Sequence, residues 1–171
     1  MDVKFRQLIE LGAGKFEHVD AALIEHLEGT RCTLKSWSAN ETLQDAGLYY
    51  LAYYGQDSSY DTKQRVSVAN VLGENVEQLI YYYFCCDFTP LLEQIDQQRA
   101  NLYHNFISEK EPLSLDMLKA LCELDAAIFV DRALHGTKRT VQQNKILQTK
   151  FKITQQFLSL AAKRKLNQHF F

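Results

Sequence analysis

Apolar residues recur at three- and four-residue spacing through almost every segment, and nowhere do apolar and polar positions alternate for long, so the pattern predicts helices. Leu23, Leu27, Thr30 and Leu34 form one stripe that Trp37 closes, giving a helix from about Asp20 to Trp37. Asn40 suits the cap of a second helix running through Leu43, Gly47 and Tyr50 towards Gly55, and the polar run 56–61 then reads as a loop. Thr62 to Leu72 predicts a helix stopped by Gly73, and Glu74 to Cys86 another, with Val76, Leu79, Ile80 and Tyr83 facing inward. Pro90 is a favourable first-turn residue for a short helix that turns Leu91, Leu92 and Ile95 to one face. Residues 101–111 admit three readings: a helix end, a loop or a short hairpin. Ser114 can cap a helix running to about Leu134, where Gly136 ends it, with Asp116 in its first turn and Leu113 stapled onto Leu118. One last long helix is expected over about Thr140 to Asn167, its stripe being Leu147, Phe151, Thr154, Leu158 and Ala161. The expectation is an all-α bundle of about six to eight helices forming one domain over residues 1–171.

Composition agrees with that pattern. With 46% apolar and 23% charged residues the chain has the balance of a globular protein, and two prolines and seven glycines leave few breakers. Cys32, Cys85, Cys86 and Cys122 form no C-x-x-C pair and read as reduced, mostly buried small hydrophobes. The first residues carry charge within their apolar run, unlike a secretory signal, and no stretch approaches the roughly 18 apolar residues of a membrane span. A cytoplasmic location and no membrane partner are therefore expected.

Charge changes the picture at one end. Residues 138–171 carry eight basic side chains and no acid, whereas residues 1–137 sum to −10. The simplest role for the basic helix is to pack its apolar stripe on an acidic body. Its aromatics follow the apolar stripe instead of facing outward, so nucleic acid is not an expected partner.

No glycine-rich phosphate loop, G-x-S-x-G elbow or H-E-x-x-H occurs. What remains are His18 and His26, the segment AGLYYLAYYG at 46–55, and a late helix with Asp125 and Asp131. Imidazole and carboxylate from separate helices are the donors that a water-activating metal site needs. The plainer alternative is two hydrogen-bonded histidines and a surface or ion-paired acid. Tyrosines 49, 50, 53, 54, 81, 82 and 83 read as core and rim aromatics, or as the lining of a pocket whose hydroxyls bind a polar group. Arg65 can neutralise a phosphate or carboxylate there, or stand solvated on its helix.

A histidine near the start of a long leucine-striped helix, followed two dozen residues later by Ala46-Gly47-Leu48-Tyr49-Tyr50-Leu51, resembles the HD-domain (PDEase-like) superfamily of all-α metal-dependent phosphohydrolases. The resemblance implies His26 as the first ligand and Asp131, in FVDR, as the last, with Asp125 as a second fit. Tyr50 and Leu51 then occupy the places of the name-giving His and Asp, and neither can replace those ligands. A closer similarity is to an uncharacterised HD-like branch with a degenerate motif. It is carried by His18, His26-Leu27, Gly29-Thr30, Trp37, Ala46 to Leu48, Tyr54-Gly55 and the stretch RVSVANVLGENVEQLIYYY from Arg65. It spans about residues 16–133, taken as an HD-like core on which 138–171 packs.

The resemblance implies a fold more than a reaction; the first functional expectation is an HD-like domain with a pocket of His18, His26, Tyr50, Tyr54, Arg65 and Asp131 that binds or hydrolyses a small phosphorylated or polar molecule. Two readings of its cofactor stay open: one divalent metal on His18, His26 and Asp131, or none. The alternative function is a non-catalytic helical module for interaction or homodimerisation, which lets those side chains scatter.

Overall fold

Asp20 and Asn40 each turn a side-chain oxygen onto the backbone N–H three residues on, Leu23 at 2.7 Å and Leu43 at 2.9 Å, and so start two of the longest-predicted helices where their cap chemistry directs. In the computed structural model, which describes residues 3–13, 20–54, 62–88, 91–92, 101–103, 110–135 and 141–170, these are α2 (Ala21–Ser36) and α3 (Glu41–Tyr49). They follow α1 (Val3–Glu10), which buries Phe5 and Leu8 and which the sequence pattern did not single out. Between α2 and α3, Ala39 N–H reaches Leu34 O and Ser38 N–H reaches Lys35 O, with Ser38 at φ 62° in the left-handed position usually held by glycine.

Then come α4 (Thr62–Leu72) and α5 (Glu74–Cys85), separated by Gly73 at φ 90°, as its place after the last apolar residue predicts. Leu91 and Leu92 are helical, while Pro90 and Ile95 lie outside the described residues. Of the three readings of residues 101–111, the described residues agree with the hairpin: β1 (Asn101–Tyr103) pairs antiparallel with β2 (Lys110–Pro112), Leu102 opposite Glu111. Ser114 Oγ accepts from Met117 N–H and opens α6 (Leu115–His135). Among the described residues the architecture is thus all-α, eight helices with one two-stranded ribbon.

The expected single last helix is two. Helix α7 (Val141–Thr154) passes into a 3-10 turn at Gln155–Phe157, Leu158 is extended, and α8 (Leu160–Phe170) starts again at Ser159. The break has local causes. Thr154 bonds back to Lys150 O, a contact that loosens helices, and Ser159 N–H and hydroxyl are both taken by the Glu123 carboxylate, at 2.8 and 2.5 Å. Ser159 Oγ in turn accepts from Ala162 N–H and caps α8. The apolar stripe survives the turn, since Phe151, Thr154 and Leu158 remain buried.

Helix α6 sits at the centre, its buried residues including Leu121, Leu124, Ala127 and Val130. Helices α2, α3, α5 and α8 all pack on it, α4 packs on α5, and α1 on α4. The basic end is fastened to the acidic body by Lys150, 2.6 Å from Asp125, and by Phe151 against Phe129. No described helix is long and apolar enough to cross a membrane.

The buried thiols make this core sensitive to base. Burial pushes Cys122 from its ordinary 9.0 up to about 12, and burial also raises Cys86. An acid whose pKa is higher in the folded chain is stabilised there in its protonated form, so the unfolded chain loses the proton first. Stability is therefore expected to hold up to about pH 9 and then to fall by about 1.4 kcal/mol per pH unit for each such group as pH climbs towards the folded value. Urea unfolding between pH 8 and pH 11 (roughly the window set by these shifts) measures it, and Cys122→Ala should flatten the slope.

Candidate functional site

The site begins with a glycine. A Cβ on Gly29 would lie 2.0 Å from Asp131 Oδ1, so the missing side chain is what lets the α6 carboxylate reach the surface of α2 one turn past His26. Gly47 plays the same part for α3: a Cβ there would stand 2.6 Å from Leu34 Cδ1 and 3.2 Å from Thr30 Cγ2. Two close helix contacts thus bring both α3 and α6 against α2.

At that junction His26 Nδ1 lies 2.5 Å from Asp131 Oδ2, and His26 Nε2 lies 2.9 Å from the Tyr50 hydroxyl. Arg132 Nη2 donates to the same hydroxyl at 3.2 Å. Arginine only donates, so the Tyr50 oxygen accepts from it. With the neutral imidazole in the tautomer that gives its Nδ1 proton to the carboxylate, the Tyr50 hydroxyl donates to Nε2. The result is a directed chain, Arg132 to Tyr50 to His26 to Asp131, with a cation at one end and an anion at the other.

Burial grades along it. Asp131 is 2% and Tyr50 1% exposed, the His26 side chain 16%, and Arg132 is open to solvent. Burial raises the Tyr50 pKa, with Arg132 opposing, and so holds the phenol protonated as the chain requires. Tyr54 and Tyr83 close over Tyr50 edge to face, at 6.3 and 5.9 Å between ring centres, and burial raises both phenols. An imidazole held between a carboxylate and a hydroxyl has the arrangement of an acid–base triad, but the hydroxyl here is enclosed. The group that meets solvent is the guanidinium.

Of the residues expected in a common pocket, the structure brings together His26, Tyr50 and Asp131, with Tyr54 in ring contact. His18 lies outside the described residues. Arg65 does not join them. It grips Glu77 with two hydrogen bonds of 2.7 and 2.8 Å and lies 3.7 Å over the Tyr81 ring, while Tyr53 donates to the same carboxylate at 2.6 Å. The α4–Gly73–α5 turn sets Arg65 opposite Glu77, so the charge meant for a ligand is met within the fold. Asp125 is likewise engaged, by Lys150 and the Tyr83 hydroxyl at 3.2 Å. Arg132 was missed; its one sequence signal was its place beside Asp131.

The donor set does not fit a divalent metal as it stands. Two ligands of one tetrahedral zinc sit about 3.3 Å apart, given metal–ligand distances near 2.0–2.2 Å, whereas His26 and Asp131 are in direct hydrogen-bond contact. Both imidazole nitrogens already face protein groups, Tyr50 offers a protonated phenol, and Leu51 offers nothing. Among the described residues no three His, Cys, Asp or Glu side chains are placed to hold a metal ion.

Residues 7–88, a little under half of the chain, match a family described as Domain of unknown function (DUF6817). No curated protein and no solved structure matches. The similarity takes in α2 to α5, with His26, Gly29, Gly47 and Tyr50, and stops short of Asp131 and Arg132, so it reaches two of the four links of the hydrogen-bond chain.

Proposed function

We propose that this chain is an HD-like helical domain whose metal pocket has been rebuilt as a metal-free relay, and that it binds a small phosphorylated or other anionic molecule at the Arg132 end. The observation that carries this reading is the directed chain itself. It fixes one guanidinium N–H on Tyr50 and leaves four donors for a ligand, and among the described residues no carboxylate pairs with Arg132. Half-buried His26, backed by buried Asp131, holds Tyr50 in place so that the arginine meets its ligand already oriented. The positions of His26 on α2, Tyr50 at the C-cap of α3 and Asp131 on α6 are those the HD resemblance assigns to its ligands. Replacing a histidine by Tyr50 in that arrangement exchanges a metal donor for a hydrogen-bond partner.

Inorganic phosphate and a nucleoside monophosphate, titrated calorimetrically into wild type and Arg132→Gln, test the proposal. Wild type should bind one or both, and the variant should bind about tenfold or more weakly, as loss of a charge-assisted contact predicts. Equal affinity in the two proteins, or no binding to wild type, sinks it. Elemental analysis of protein purified without chelator tests the metal-free part, which fails should stoichiometric metal be found and be lost in His26→Ala.

A further inference from the structure

A second site stands at the other end of α2, roughly 16 Å along the helix from His26 at 1.5 Å per residue. There a cleft of about 400 Å³ opens between the α2–α3 turn, the first half of α6 and the turn before α8, a volume within the range of small-molecule pockets. Trp37, Leu43 and Phe157 supply its apolar wall, and Glu123 its deepest charge, at 7% exposure. It shares no residue with the relay.

Glu123 differs from the other buried acids. Glu77 faces the Arg65 guanidinium and Asp131 faces the His26 imidazole, but Glu123 faces only the Ser159 amide and hydroxyl, and among the described residues no lysine, arginine or histidine pairs with it. A carboxylate can accept about four hydrogen bonds, so two places stay open. Burying an ionised carboxylate without a counter-charge is costly, and the partial positive charge of one helix start offsets it only in part. The remaining charges are at the rim: the Asp116 side chain is 97% exposed, and Lys119 lies 4.0 Å from it, so solvent and their mutual contact screen both.

We infer that this cleft binds organic amines, molecules with a protonated amino group for Glu123 and an apolar or aromatic body for the Trp37–Phe157 wall. The ammonium adds the cation that the fold withholds, and aromatic rings beside it favour the same charge. An anion of equal size would meet the buried carboxylate with like charge.

Trp37 is the chain's single tryptophan and lines the cleft, so its fluorescence reports occupancy directly. Three probes of nearly one shape and different charge decide the matter on the wild-type chain: phenethylamine, 2-phenylethanol and 3-phenylpropanoate. The amine should bind about tenfold tighter than the alcohol, and the carboxylate more weakly than either. Glu123→Gln should bring the amine to the alcohol's affinity, while Asp116→Asn, at the rim, should leave it within about twofold. No saturable response to the amine, equal binding of all three probes, or tighter binding of the carboxylate overturns the inference. So does a loss of amine binding in Asp116→Asn with none in Glu123→Gln. Should Glu123→Gln fail to fold by circular dichroism, the three-probe comparison on wild type still decides.

Discussion

Gly29→Ala is expected to destabilise the protein by about 3 kcal/mol, the upper end of what overfilling a packed interior costs. The sign is the informative part. In an ordinary helix interior the same change stabilises by about 1 kcal/mol, because glycine is the poorer helix former. Here the added methyl group would lie 2.0 Å from Asp131 Oδ1 and 2.8 Å from its Cγ, well inside van der Waals contact. Either α6 moves away from α2, or Asp131, a carboxylate of 2% exposure, turns off His26 and loses that hydrogen bond. Urea unfolding of four proteins tests the origin of the effect: wild type, Gly29→Ala, Asp131→Ala and the double variant. In the Asp131→Ala background the obstructing oxygens are gone, so Gly29→Ala should become neutral or stabilising, and the two sites should show coupling of roughly 3 kcal/mol. Additive effects would mean that Gly29 serves some other contact. The same variant should weaken phosphate binding, since the relay that orients Arg132 is anchored at its far end on Asp131.

The course of the chain was legible wherever local chemistry dominates. Asp20, Asn40 and Ser114 mark helix starts through side-chain bonds to the N–H three residues on, Gly73 marks a boundary by its positive φ, and the structure places helix ends at all four. The break at Ser159 was illegible because half of its cause, the Glu123 carboxylate, lies 36 residues earlier on another helix. The apolar stripe runs through the turn unbroken and so masks it. The same contrast holds for chemistry. His26, Tyr50 and Asp131 are named through the HD resemblance, and burial explains why they meet, since a polar group turned inward demands a partner. Both readings of Arg65, a ligand's counter-charge and a solvated helix arginine, leave out its partner within the fold. Yet Glu77 shares its helical face with Ile80 and Tyr81, and an acid on an apolar stripe calls for a cation nearby. Arg132 gave less to work with: only three-dimensional contact with Tyr50 distinguishes it from a solvated arginine.

Removing that overlooked acid should have the largest effect of any single change described. Glu77→Ala is expected to cost about 3–5 kcal/mol, the range for breaking a buried pair from one side. The carboxylate is 4% exposed as a residue and accepts three hydrogen bonds, two from Arg65 and one from Tyr53. Without it, Arg65, whose side chain is 26% exposed, keeps its place over the Tyr81 ring but has no anion, and the Tyr53 hydroxyl is left with no acceptor in an apolar setting. Tyr53 and Tyr81 pack against each other at 5.5 Å, so a shift of either side chain disturbs the α3–α5 contact that seats Tyr50. Removing all three polar partners together should cost far less than removing one. A Glu77→Leu, Arg65→Met, Tyr53→Phe variant leaves no orphaned charge or hydroxyl and is expected within about 2 kcal/mol of wild type. Chemical denaturation of the single and triple variants separates a net stabilising network from one whose members are merely costly to part. A Glu77→Ala loss under about 1 kcal/mol would show that water reaches these groups and that the α4–α5 hairpin is held by its apolar face alone.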